Sequence, residues 1–99
     1  GWAEVRDRDR LAQAGYFFAA VRTDGRGGLA GPPQLSTRGF VNEKEAEDLL
    51  LEAEKLIARA AAEAQRNGLP ISAGAIEGAL NRFLYDETRK RPVIEVVVV

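Results

Sequence analysis

A chain of 99 residues with 45% hydrophobic and 29% charged side chains is the size and composition of one small globular domain. The net charge of −1 excludes a strong overall attraction to nucleic acid. The absence of cysteine and histidine excludes a disulfide scaffold and histidine-dependent nucleophilic catalysis, and it argues strongly against a zinc site made by this chain alone.

The first half of the chain predicts a short helix and two strands. Residues 7–14 favour a lead-in helix that Gly15 ends. Tyr16–Val21 is a continuous apolar run with three aromatics, typical of a strand buried on both faces. The turn-rich segment 24–28 predicts a hairpin. A proline pair then confines the return strand to a sheet edge, and pairing is expected to resume over 34–41.

The second half predicts two amphipathic helices. Asn42 with Glu45 is a variant of the capping box, and Gly68 ends the first helix. Its apolar residues recur at steps of three and four and form one stripe. They are Ala46, Leu49, Leu50, Ala53, Leu56, Ile57, Ala60, Ala61 and Ala64. Ser72 is the expected cap of the second helix. Its buried face is expected at Ile76, Ala79, Leu80, Phe83 and Leu84.

The last strand completes a two-layer fold. The β-branched run over 93–99 predicts a strand that is central or well covered. The order β-β-α-α-β predicts an α+β fold, a two-layer sandwich with a three-stranded β-sheet and two helices on one face. The other sheet face is then apolar and uncovered, which usually marks an interface. The interface candidates are Tyr16, Phe17, Phe18, Val21, Val93, Ile94, Val96, Val97 and Val98.

The basic residues offer a different hypothesis, contact with RNA. Residues 1–41 hold six arginines and four acids, although a solvated surface is the commoner meaning of such a run. The RNA-contact candidates are Arg6, Arg8, Arg10, Arg22 and Arg38. Arg82 and the run Arg89-Lys90-Arg91 are weaker candidates for phosphate contact, because the dipole of the second helix explains basic residues at its end without a ligand. No residue is predicted to be catalytic or to bind a metal.

Several segments, taken in order, resemble one family. Residues 5–15 carry an arginine–aspartate cluster, then Leu-Ala and a glycine, and lead into an apolar strand. Leu-Ala-Gly-Pro stands at 29–32, and Thr-Arg-Gly-Phe-Val at 37–41 precedes an acidic helix start. Arg-Phe-Leu-Tyr-Asp-Glu-Thr at 82–88 and Arg-Pro at 91–92 precede the final strand. Together these segments resemble the C-terminal domain of bacterial ribonuclease J, of the metallo-β-lactamase and β-CASP ribonucleases.

The resemblance implies that the catalytic function belongs to other domains of a longer parent protein. The parent would be a zinc-dependent cytoplasmic hydrolase that cuts RNA internally and as a 5′→3′ exonuclease during RNA processing and decay, with its zinc in earlier domains. Residues 1–99 would be a single C-terminal domain, with 1–5 a linker remnant and no cofactor or catalytic centre. Its partners would be a second copy and the parent's catalytic domains, with RNA reached through the parent and no membrane. The alternative is an auxiliary RNA-contacting module that uses the N-terminal arginine cluster. One departure from the family concerns Arg89 and Lys90, since a glycine is usual near these positions.

Overall fold

The computed structural model describes residues 15–99, which form an α+β fold in the predicted order β-β-α-α-β. The predicted helix over 7–14 lies outside these residues. The elements are β1 (Tyr16–Val21), β2 (Gln34–Arg38), α1 (Glu43–Arg66), α2 (Ala73–Thr88) and β3 (Val93–Val98).

The first strand, β1, is the centre of the sheet, whose strand order is β2-β1-β3. It pairs antiparallel with β2 and parallel with β3. The last strand was expected to be central or well covered, and within residues 15–99 it is not central, because β3 has β1 as its one hydrogen-bonded neighbour there. Because β2 of the hairpin already pairs with one edge of β1, β3 pairs with the other edge.

The hairpin predicted over 24–28 is present. The Asp24 carboxylate accepts hydrogen bonds from the backbone N–H groups of Arg26 at 2.6 Å and Gly28 at 3.1 Å. These bonds hold the turn in the way that short Asp side chains commonly do. The return strand is shorter than predicted. It ends at Arg38 rather than 41, because Gly39 takes a left-handed conformation with φ +81° and turns the chain away.

Both helices begin at the caps expected from the sequence. Asn42 Oδ1 accepts a hydrogen bond from the Glu45 N–H at 2.8 Å, and its Nδ2 donates to Glu45 Oε1 at 3.1 Å. This is a variant of the capping box, in which the side chain of the cap residue and not its backbone N–H donates to the glutamate. Ser72 Oγ accepts from the Ala75 N–H at 3.2 Å. These bonds satisfy backbone donors that would otherwise lack a partner at the start of each helix.

The core lies between the helices and one face of the sheet. The alternation along β1 is strict, since Phe17, Ala19 and Val21 are fully buried and the residues between them are half-buried. The prediction that β1 is buried on both faces is therefore wrong, because both helices pack on the same side. The buried core is Phe17, Ala19, Val21, Phe40, Leu49, Ala53, Ile57, Ala61, Ile71, Ile76, Leu80 and Leu84.

Candidate interaction surface

The sheet face opposite the helices is called the open face here. Successive side chains of a strand point to opposite faces, so the strand register and the burial of alternate residues define its members. A central column of β1 is flanked by one column from β2 and one from β3. The nine residues are Tyr16, Phe18 and Ala20 of β1, Gln34, Ser36 and Arg38 of β2, and Val93, Glu95 and Val97 of β3.

The open face is apolar at its centre and polar toward its edges. Tyr16 and Phe18 are half-buried, although no helix of residues 15–99 lies over this face. The β2 column is entirely polar, and β3 places Glu95 between two valines. Val97 is 36% exposed, so part of the apolar area is open to solvent. This surface is a small apolar patch with a polar rim, the general pattern of a protein interface.

The predicted interface residues divide between the two faces. Four of them lie on the open face: Tyr16, Phe18, Val93 and Val97. The other five point toward the helices, because they occupy the alternate positions of their strands. Phe17 and Val21 are fully buried, and Ile94, Val96 and Val98 pack against the core. These five are therefore structural, and the interface hypothesis now concerns the four residues of the open face.

A hydrogen bond crosses the open face between strands that are distant in sequence. The Tyr16 hydroxyl donates to the Glu95 carboxylate. This bond, together with burial and the negative charge of Glu95, raises the pKa of Tyr16 above its usual value. The neutral phenol is therefore retained over the physiological pH range, and it holds the one acidic group of the open face in place.

The arginines proposed for RNA contact do not form one patch. Arg6, Arg8 and Arg10 lie outside the described residues. Arg38 lies opposite Tyr16 at one end of β1, whereas Arg22 follows the other end. At about 3.3 Å per residue, the two exposed arginines are roughly 20 Å apart along the sheet. The structure thus assigns Arg38 to the rim of the open face and leaves Arg22 beside the hairpin.

A concavity of about 440 Å³ lies between the start of α1 and the end of α2. Lys90 closes one end, where its Nζ donates to the Phe40 carbonyl at 2.8 Å and ties α2 to the β2–α1 turn. Four carboxylates line the remainder: Glu45, Asp48, Glu52 and Glu87. Within residues 15–99, no three acidic groups converge as the ligands of a metal ion would. In the same part of the chain, no helix is both long and apolar enough to cross a membrane.

Sequence reasoning missed the polar members of the open face, which are Gln34, Ser36 and Glu95. A signal for Glu95 was present, since it is the one charged residue of the final strand. The period of two would have placed it on the opposite face from Ile94 and Val96. Its contact with Tyr16 had no local signal, because 79 residues separate the two positions.

The architecture of residues 15–99 defines a class, a small α+β sandwich in which both described helices cover the same face of the sheet. A model of the ribonuclease J C-terminal domain matches residues 3–99, and the chain belongs to that family. It is 33% identical over 98 residues to ribonuclease J2 of Bacillus subtilis (strain 168). It is 35% identical over 99 residues to ribonuclease J 2 of Staphylococcus aureus (strain NCTC 8325 / PS 47). Each alignment covers 95% of this chain but 18% of the relative, so the chain spans less than a fifth of these proteins.

Proposed function

We propose that this chain is a non-catalytic assembly domain of a zinc-dependent ribonuclease, and that it self-associates through the open face. The parent would cut RNA both internally and from the 5′ end, in cytoplasmic RNA processing and decay. The relatives that bear the name ribonuclease J support the nature of the parent. The observation that carries the assembly role is the open face, where an apolar centre lies within a polar rim and no helix of residues 15–99 covers it.

The residues of this chain do not fit a zinc site. Zinc is held by cysteine or histidine with few exceptions, and the chain has neither. Acidic groups alone bind zinc poorly, and in 15–99 they do not converge. The zinc and the hydrolytic chemistry are therefore assigned to other parts of the parent, and this chain is assigned no catalytic step.

The size of the open face predicts a weak contact. Three strands about 4.8 Å apart and six residues of about 3.3 Å each give a footprint of roughly 300 Å². A standard stable interface buries about 800 Å² on each partner. Self-association of the chain alone is therefore expected at roughly tens to hundreds of micromolar. Within the parent, other domains that associate would raise the effective concentration of this domain, so that even a weak contact would contribute to assembly.

The charges of the open face suit a symmetric pair of copies. Arg38 is paired with Tyr16 at the β2 edge and Glu95 with Phe18 at the β3 edge, so the two are two residue positions apart along the strands. A two-fold axis parallel to β1 places β2 of one copy over β3 of the second. Each Arg38 then approaches Glu95 of the other copy, and the two apolar columns of Tyr16 and Phe18 meet at the axis. A docking site on the parent's catalytic domains would lack this reciprocal arrangement.

Charge exchange at these two positions tests the proposal. We expect Arg38→Glu and Glu95→Arg each to weaken self-association by about tenfold, because each places like charges opposite one another. An equimolar mixture of the two variants restores both pairs, so the mixture is expected to associate as the unaltered chain does. Sedimentation equilibrium measures all three. A mixture that associates no better than either variant alone would contradict the symmetric contact and favour docking on the parent.

A further inference from the structure

A cluster of arginines surrounds Tyr85 at the end of α2, on a surface that the assembly role does not use. The guanidinium carbon of Arg91 lies 4.2 Å from the centroid of the Tyr85 ring, and that of Arg89 lies 5.3 Å from it. Arg82, almost one helical turn earlier, shares with Tyr85 and Arg91 a shallow cleft of about 220 Å³. The cleft is completed by Asn81 and Asp86. Two guanidinium groups therefore stack on the half-buried ring of Tyr85, and that of Arg82 lines the cleft beside it.

This convergence leaves positive charge without matching negative charge. Two cations held against the same ring repel one another, and the negative ring face offsets that repulsion only in part. Asp86 is the one acidic group of the cleft. Among residues 15–99, none of the three guanidinium groups lies within 4.0 Å of a carboxylate oxygen. Three arginines against one aspartate therefore give this surface a net positive charge, on a chain whose net charge is −1.

The backbone at Arg89 is a second, independent observation. Arg89 ends α2 in the left-handed conformation, with φ 59° and ψ 20°. It is the one residue other than glycine with positive φ in the described part of the chain. Side chains disfavour this conformation and glycine adopts it freely, so a strained residue of this kind points to a function of its side chain. In this conformation the Arg89 side chain lies over Tyr85, a contact that a glycine at this position would lack.

We propose that Arg82, Arg89 and Arg91 form a binding site for the phosphates of single-stranded RNA. Guanidinium groups match phosphate oxygens with two parallel hydrogen bonds. The rise of an α-helix separates Arg82 from Arg89 by about 10 Å along the axis, so the patch suits a run of phosphates better than one ion. Because the arginines cover Tyr85, bases have little ring surface to stack on. The site therefore reads the backbone and not the base sequence.

Lys90 does not belong to this site. Its ammonium group is turned toward the β2–α1 turn, where it donates to the Phe40 carbonyl at 2.8 Å. Arg38 and the N-terminal arginines are also separate from it in the chain. The inference is independent of self-association, since Arg82, Arg89 and Arg91 all lie outside the sheet.

Salt-dependent binding of a labelled oligouridine to the whole chain is the first test. The probe is about 12 nucleotides long, its fluorescence anisotropy reports binding, and salt is varied from about 50 to about 200 mM. We expect the double variant Arg82→Ala with Arg91→Ala to bind about tenfold more weakly at the lower salt. We also expect its salt slope to fall by about 1.4, since each lost contact to a single strand removes about 0.7.

A matched control distinguishes the loss of a specific binding site from a general loss of positive charge. Arg59→Ala with Arg66→Ala removes the same charge from α1, where both side chains are exposed, and is expected to leave affinity and slope unchanged. Arg22→Ala with Arg26→Ala, which removes two exposed arginines beside the hairpin, is expected to do the same. The proposal is overturned if the unaltered chain shows no salt-sensitive binding, or if either control pair weakens binding as much as the Arg82 and Arg91 pair.

Arg89→Gly distinguishes a binding role from a structural one. Relief of the left-handed strain is expected to raise the urea midpoint of unfolding, whereas loss of the charge is expected to weaken RNA binding about threefold. Arg89→Lys keeps the charge and is expected to retain most of the affinity. A higher midpoint with unchanged RNA affinity would overturn the proposal. A loss of self-association in the Arg82 and Arg91 pair without RNA would also overturn it, because the patch would then contact an acidic protein surface.

Discussion

Gly15 lies between the end of β2 and the start of β3, and it contacts residues of both. It has φ +81°, a conformation that favours glycine, and its carbonyl accepts a hydrogen bond from the Val93 N–H at 3.0 Å. A Cβ atom at this position would lie 2.6 Å from the Arg38 carbonyl oxygen and 2.8 Å from Phe40 Cβ. Phe40 is buried and Arg38 is held in the sheet, so neither moves away easily.

We therefore expect substitution of Gly15 to lower the free energy of unfolding by more than its left-handed backbone conformation alone would. Gly15→Ala should lower the free energy of unfolding by about 2–4 kcal/mol, from left-handed strain and steric overlap together. Gly25 is the matched control, since it has φ +80° and a Cβ atom there would meet nothing within 4 Å. Gly25→Ala should cost about 1 kcal/mol. Equal losses in urea unfolding would contradict the close contact of Gly15 with the β2–α1 turn.

The Tyr16–Glu95 hydrogen bond makes a second residue-scale prediction, about alkaline pH. Folding raises the pKa of Tyr16, so the contribution of the bond is complete below pH about 10 and is lost as pH rises through the raised pKa. Tyrosinate absorbance measures this titration, and Tyr16→Phe identifies the signal. Glu95→Gln should move the pKa of Tyr16 back toward its usual value, because the charged acceptor is removed. An unchanged titration would contradict the hydrogen bond.

Local residue roles were predictable from the sequence, and distant ones were not. Asn42 and Ser72 were predicted as helix caps because each bonds a backbone group three residues away. Gly15 was predicted only as the end of a helix, since its contact with Phe40 depends on how the strands return. The Tyr16–Glu95 pair and the Arg91–Tyr85 stacking have the same limitation, because neither follows a helical or strand period.

At the scale of elements, α1 begins at the capping box and carries the layer that covers the sheet. Asn42→Ala should lower the free energy of unfolding by about 1 kcal/mol, because the Glu45 N–H loses its acceptor. Asn42→Ser is the control, since its hydroxyl keeps an acceptor at this position and should retain most of the stability. Urea unfolding measures both variants. A serine variant as unstable as the alanine variant would show that the cap bond contributes little.

The first and last strands were predicted close to their observed positions, and β2 was predicted three residues too long, but the exposure of β1 was predicted wrongly. A continuous apolar run such as Tyr16–Val21 suggests burial on both faces, because the sequence pattern does not show what covers each face. The valine-rich β3 likewise suggests a central or well-covered strand, yet within residues 15–99 it lies at the edge of the sheet. Strand order depends on which side of β1 the hairpin occupies, and no local propensity determines that choice. The alternation of side chains along each strand would nevertheless have assigned its residues to the correct face of the sheet.

At the scale of the whole molecule, both interaction hypotheses concern surfaces that the core does not use. The helices and the sheet bury their apolar residues against each other on one side, which leaves the open face and the end of α2 outside the core. The sequence predicted the α+β sandwich and a sheet face that neither helix of residues 15–99 covers, because two amphipathic helices pack on the same side of a small sheet. It did not predict that this face has a polar rim, which limits the expected affinity.

The measurement that tests the assembly role most directly is the solution mass of the chain from about 5 to about 500 µM, by sedimentation equilibrium. We expect a monomer at the low end and dimers at the high end. Phe18→Lys should abolish the dimer, because it places a charge at the centre of the open face beside Glu95. Leu51→Lys alters a side chain that is 54% exposed on α1 and should leave dimerisation unchanged. A chain that stays monomeric throughout, or a dimer that Phe18→Lys does not weaken, would contradict self-association through the open face.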